Sequence, residues 1–308
     1  MRGPRSTIAR LLPALLAGLL LGGCRAPTAP DAATPGPPPG PASTVQQLTM
    51  LLHDNDLAGF AREAVPPVLH AELDAAWRAG RTRWPLDELP FGARLPAMLQ
   101  TLAAPDAEQR LLRVFDRQFA GADRQLRNTA ATLGVFGVEY VEHRPGFGED
   151  QRRHYAQLVR ATATWGTRAP LGDRARARAG LALLVPAARR TGLARDGAFR
   201  VAGLDDGLRR LGPFAAAFKQ ALKGYGLDLD GDLAGMRASL QEQTGDRARV
   251  RMQYRFAGTD IDTVIAMERV DGRWYVADFL RHAEAAVRPP AAAAQVADRS
   301  APAAPAAR

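Results

Sequence analysis

The sequence predicts an α+β body, mostly helical and closed by a C-terminal three-stranded antiparallel meander. Three observations carry that reading. Apolar residues recur at helical spacing from Thr44 to about Thr244. From Asp246 the period drops to two, the spacing of a half-buried strand. Two turn signals, Gly258-Thr259 and Asp271-Gly272, then cut the alternating stretch into three strands.

The helices follow in order. Val45, Leu48, Leu51 and Leu52 share one helical face, and Asp54-Asn55-Asp56 interrupts before a short helix through Phe60. Pro66-Pro67 opens a helix through Leu69, Leu73 and Trp77. Pro105, Asp106 and Glu108 make a third start, with proline early and acids in the first turn, where the helix dipole favours negative charge. Leu111, Leu112, Phe115 and Phe119 form its apolar stripe, and Gly121 ends it. Further helices are expected over 149–165, 173–185, 208–222 and 232–243. No internal repeat of fixed period appears, which argues against a solenoid.

In the meander, Val250, Met252, Tyr254 and Phe256 alternate with Arg249, Arg251, Gln253 and Arg255. Strands over 261–270 and 273–280 follow. A two-residue loop at Asp271-Gly272 sets Met267 opposite Val276 and Arg269 opposite Trp274. A two-residue loop at Gly258-Thr259 sets Phe256 opposite Ile261, Met252 opposite Ile265 and Val250 opposite Met267. Both loops put the same apolar residues on one face, which the preceding helices should cover. On the other face Arg255 meets Asp262 and Arg249 meets Glu268, favourable cross-strand charges.

The ends read differently. Arg2, Arg5 and Arg10 precede an apolar run over 11–21, too short for a bilayer-spanning helix of about 20 residues. Small residues then lead into Cys24. Leu21, Gly22, Gly23 and Cys24 resemble the lipobox of bacterial lipoproteins position by position. That resemblance implies cleavage between Gly23 and Cys24, acylation of Cys24 and a lasting membrane anchor. Arg25, where family members retained in the inner membrane carry aspartate, implies the outer membrane, with the body facing the periplasm. The domain plan is therefore a signal peptide over 1–23, a lipidated cysteine and Pro/Ala-rich disordered linker over 24–43, and a helical region over 44–245. The meander over 246–286 and a disordered Pro/Ala tail over 287–308 complete it.

Charge and composition exclude several functions. The chain carries 41 basic and 32 acidic residues, a net of +9. Seven of those bases and two of those acids lie in the two ends, leaving 34 against 30, a net of +4 spread over the body. That mixture is a solvated surface, and it argues against a nucleic-acid partner. Cys24 is the single cysteine, so no disulfide forms within the chain, and thiol catalysis and thiolate metal sites are excluded elsewhere.

Other chemistry finds little support. Ser239 is the one serine of the body, set in expected helix without a Gly-x-Ser-x-Gly elbow. The histidines His53, His70, His143, His154 and His282 form no metal-binding spacing. Glu139, Glu142, His143 and Arg144 make a local polar cluster that reads as surface. Asp228, Asp230 and Asp232 surround Gly231, but position twelve is Ser239 where a calcium loop needs glutamate, so helix capping explains them. Gly134-Val135-Phe136-Gly137 and Gly146-Phe147-Gly148 lack the lysine of a phosphate loop. No cofactor or metal is expected.

The segment over 45–67, with its Asp56-Leu57-Ala58 break, resembles the opening helix of nuclear-transport-factor-2-like (cystatin-like cone) lipoproteins. Val270-Asp271-Gly272-Arg273-Trp274-Tyr275-Val276, within the segment over 250–279, is similar to their closing strands. The resemblance covers under a quarter of the chain, and the helix-rich residues between its two parts far exceed what that small fold holds. It implies a cupped sheet over helices, enclosing a cavity, and carries across no catalytic residue. Asp278, Tyr254 and Trp274 are the candidate lining of such a cavity. The expected function is non-catalytic: a lipid-anchored envelope lipoprotein binding a protein partner or a small apolar ligand. The alternative is an enzyme of unrecognised type with its site in that cavity.

Overall fold

A computed structural model describes residues 39–89 and 91–288. The lipobox with Gly23 and Cys24, the linker to residue 38 and the tail from 289 lie outside the described residues. Among the described residues the chain is mostly helical, with one four-stranded antiparallel sheet near its C-terminal end.

Helix α1 (Pro41–His53) opens at Pro41, three residues inside the expected linker, because proline's fixed φ and missing N–H suit a first helical position. Asp56 caps α2 (Leu57–Glu63) by accepting the Gly59 N–H at 2.8 Å. Helix α3 (Pro67–Arg78) buries Leu69, Leu73 and Trp77. Two 3₁₀ turns lead to α4 (Leu95–Ala103) and α5 (Ala107–Gln118). Then α6 (Asp123–Glu142) and α7 (Glu149–Arg168) form a long antiparallel hairpin. No clear apolar periodicity marks α6 in the sequence, where two glycines and two threonines interrupt the pattern.

The remaining helices are α8 (Arg174–Thr191), α9 (Ala198–Gly224) and α10 (Leu229–Ala234). Helix α9 is two segments joined at Gly203, whose φ of 77° and ψ of −177° suit glycine alone. The Asp74 carboxylate accepts the Leu204 N–H at 2.8 Å, capping the second segment from across the α3 interface.

The sheet corrects the expected meander in three ways. It has four strands, in the order β1 (Arg237–Thr244), β2 (Arg247–Phe256), β3 (Thr259–Val270) and β4 (Arg273–Val276). β1, including Ser239, takes the place of most of the helix expected over 232–243, of which only α10 forms. Its side chains are nearly all exposed, so no alternation marks it; backbone pairing with β2 makes it a strand. The third expected strand stops at Val276, and α11 (Ala277–Val287) follows, burying Leu280 and Ala283.

The register of β2 on β3 also differs. The turn is Ala257-Gly258, with φ of 53° and 79°, one residue earlier than expected. Val250 therefore faces Ile265, Met252 faces Thr263 and Tyr254 faces Ile261. The apolar face survives because the pairing moves by an even number of residues. The expected Arg255–Asp262 and Arg249–Glu268 pairs do not form: Arg251 takes Asp262 and Arg249 takes Asp150. The β3–β4 register, Met267 opposite Val276 and Arg269 opposite Trp274, is as expected.

The core joins the sheet to α1–α5, α8, α9 and α11, with Trp77, Trp84, Leu73 and Leu208 among its fully buried side chains. No side chain of α6 or α7 belongs to it. Their mutual packing depends on close approach: a β-carbon on Gly134 would lie 2.4 Å from the Ala163 Cβ. Among the described residues no helix is long and apolar enough to cross a membrane.

Candidate functional site

The sheet's apolar face is partly hollow. A cavity of about 1040 Å³ lies between β2 and β3 on one side and α1 on the other, with the start of α7 and α11 at its mouth. Val45, Leu48 and Leu52 line it from α1, Met252 and Tyr254 from β2, and Thr263 and Ile265 from β3. Helical spacing on α1 and period-two spacing on the strands aim these side chains at the same space.

At the mouth, Gln151 is used at both ends. Its Oε1 accepts the Gly148 N–H at 3.1 Å, closing the first turn of α7, and its Nε2 donates to Asp278 Oδ2. The other carboxylate oxygen of Asp278 accepts from Arg281 at 2.6 Å. Asp278 sits in the first turn of α11, where a negative charge is favoured by the helix dipole. One turn along α7, His154 Nε2 lies 2.8 Å from the Tyr254 hydroxyl, the rings meeting edge to face at 6.1 Å. Burial drives the His154 imidazole down to about 4 and the Tyr254 phenol above its ordinary range, so both are neutral near pH 7. Burial, and then the Asp278 charge, also raise the Tyr155 phenol.

Of the sequence-predicted lining, Asp278 and Tyr254 reach the cavity. Asp278 does so from a helix, not from the strand position opposite Ile265 that was expected. Trp274 does not line it. It is 7% exposed and sits two residues before Val276 against the start of α1, with the Arg269 guanidinium 5.5 Å above its ring. Sequence reasoning passed over His154 and Gln151. No short motif holds them: Tyr254 lies 100 residues from His154, and Asp278 lies 127 from Gln151.

The other clusters stay apart from this site. His143 pairs with Glu139 at 3.3 Å and Glu142 with Arg160 at 3.0 Å on the exposed end of the hairpin. Asp228 caps α10 through the Gly231 N–H at 3.2 Å, and Asp230 pairs with Lys219 at 2.7 Å. Among the described residues no three His, Cys, Asp or Glu side chains converge as a metal site.

Fold and cavity define a mostly helical α+β protein with a small-molecule-sized chamber under its sheet. No protein-family model matches the chain, and no curated protein or solved structure matches it.

Proposed function

We propose that this chain is a non-catalytic lipoprotein of the bacterial envelope whose body binds a small, largely apolar ligand beneath its sheet. The lipobox-like Leu21–Cys24 sequence supports the anchor, which would hold the body through acylated Cys24, with Arg25 favouring the outer membrane and a periplasm-facing body. The cavity supports the ligand. It is apolar on its α1 and strand walls, carries a few convergent polar groups, and has the size of small-molecule sites, roughly 300–1,000 Å³. The test is extraction of the full chain after expression in a bacterial host, with mass spectrometry of the released small molecules. A reproducible apolar compound, lost in Met252→Trp, is the expected result; an empty cavity and wild-type behaviour of that variant would sink the reading.

A second reading, an enzyme with its site in the same cavity, is favoured by one observation. An uncharged imidazole and a phenol stand in hydrogen-bond contact, as proton-transfer groups do, in a cavity that the Asp278 carboxylate also lines. It predicts that the extracted compound is chemically converted by the wild type and left unchanged by His154→Ala.

A further inference from the structure

The polar groups of the cavity fall into two sets by position. Every arginine that lines it is engaged with a carboxylate: Arg249 with Asp150 at 2.7 Å, Arg153 with Glu149 at 2.6 Å, and Arg281 with Asp278 at 2.6 Å. The remaining lining acid, Glu88, pairs with His282 at 2.9 Å. Side-chain contacts link the elements that carry these pairs: Gln151 with Asp278 joins α7 to α11, His282 with Glu88 joins α11 to the 3₁₀ turn over 86–88, and Arg249 with Asp150 joins β2 to α7. The second set is uncharged. His154 and Tyr254 face each other, and the Thr263 hydroxyl lies across from Met252 on the strand pair.

This division decides what the cavity accepts. A charged headgroup seated at His154 and Tyr254 would meet uncharged groups and give up hydration without an opposite charge in return, whereas the ion pairs of the first set are partly exposed and stay hydrated. A hydroxyl or a carbonyl meets no such obstacle. The His154 ring nitrogens and the Tyr254 hydroxyl both donate and accept, so either group finds a partner by exchange with the existing contact. The rest of the ligand must be apolar, because Leu48, Leu52, Met252 and Ile265 offer it nothing else. The volume is at the upper end of single small-molecule sites, which suits one chain or one fused-ring body.

We infer that the cavity selects an uncharged single-chain amphiphile, an acylglycerol or long-chain alcohol in type, whose hydroxyl or ester carbonyl hydrogen-bonds at His154 and Tyr254. The inference rests on the reading of the cavity as a ligand site and names its ligand class.

The experiment measures binding to the full chain, by native mass spectrometry and thermal shift, of three probes with the same fourteen-carbon chain. These are monomyristoylglycerol, myristate and myristyltrimethylammonium, each below its micellar concentration at pH 8. The expected result is at least tenfold tighter binding of the neutral probe than of either ion. Tyr254→Phe should cut that preference several-fold, and Met252→Trp should abolish binding while the chain stays folded by circular dichroism. Equal or tighter binding of myristate or of the cation overturns the ligand class and leaves the cavity reading standing. Neutral binding undiminished by Met252→Trp places the ligand elsewhere and overturns the inference. Failure of all three probes to bind overturns the ligand class, while the compound extracted from expressed protein decides the cavity reading separately. Should a variant fail to fold, the order of the three affinities on the unaltered chain still decides.

Discussion

His154 on α7 meets Tyr254 on β2 at 2.8 Å, joining a helix that adds nothing to the main core to the sheet the core is built on. Gln157 adds two bonds one turn further on, its amide pairing with the Asp262 backbone at 3.1 and 3.2 Å. The hairpin is therefore fastened to the sheet by polar contacts, while the helices on the other side of the cavity are fastened by burial.

His154 makes stability depend on acid. Its imidazole titrates near 4 when folded and near 6.5 when unfolded, so between those values the unfolded chain binds the extra proton. The stabilisation is complete above about pH 6.5 and is lost as pH falls toward 4, by at most about 1.4 kcal/mol per unit. Urea unfolding across pH 4–7 should show that slope, and His154→Gln should flatten it. An unchanged slope in the variant would assign the acid sensitivity to other groups.

Gly203→Ala should destabilise the chain by about 2–3 kcal/mol, since its backbone conformation is one that residues with a β-carbon avoid. The new carbon would also lie 2.3 Å from an Arg78 nitrogen and 2.7 Å from Asp74 Oδ1, disturbing the carboxylate that caps Leu204. Asp74→Ala, which removes that cap and the exposed Arg78 pair but leaves residue 203 unstrained, should cost about 1 kcal/mol. Equilibrium denaturation of the two variants checks the order; equal losses would show that loss of the Asp74 contacts accounts for the whole effect.

Lys219→Met should cost on the order of 1–3 kcal/mol. The ammonium, 11% exposed, donates to the Leu52 and His53 carbonyls at 2.7 and 2.9 Å and to Asp230 at 2.7 Å. It thereby satisfies the last turn of α1 and ties it to α9 and α10. A melting temperature unchanged by the substitution would mean that water replaces all three bonds without loss.

Gly134→Leu should open the hairpin and spare the core. The added side chain meets Ala163 where the two helices approach most closely, while Leu133, Phe136 and Tyr140 lie exposed on α6 and give no second packing face. Hydrogen exchange should speed up in α6 and α7 and stay slow in α3 and α9. Uniform acceleration through all four helices would show that the hairpin and the core unfold as one unit.

Much of this architecture was legible in the residues. The α1 face of Val45 and Leu48, the proline start of α3, and the Asp271-Gly272 turn each depend on neighbours a few positions apart, which periodicity and turn chemistry report. The identity of the apolar sheet face also depended only on parity, so it survived an incorrect loop. β1 was not legible, because an edge strand with exposed side chains is defined by its hydrogen-bonded partner. Neither was the placement of Trp274 away from the cavity, which depends on how the end of the sheet packs on α1.

The sequence by itself determined the local features: a helical run followed by alternating strands, and a partly apolar sheet face. Tertiary structure alone decided that the hollow exists, that Asp278 reaches it from a helix, and that His154 and Gln151 belong to it. The physical reason is range. Periodicity and turn geometry act over a few residues, whereas the contacts that close this site join side chains 100 and 127 positions apart, and only the packed chain brings them together.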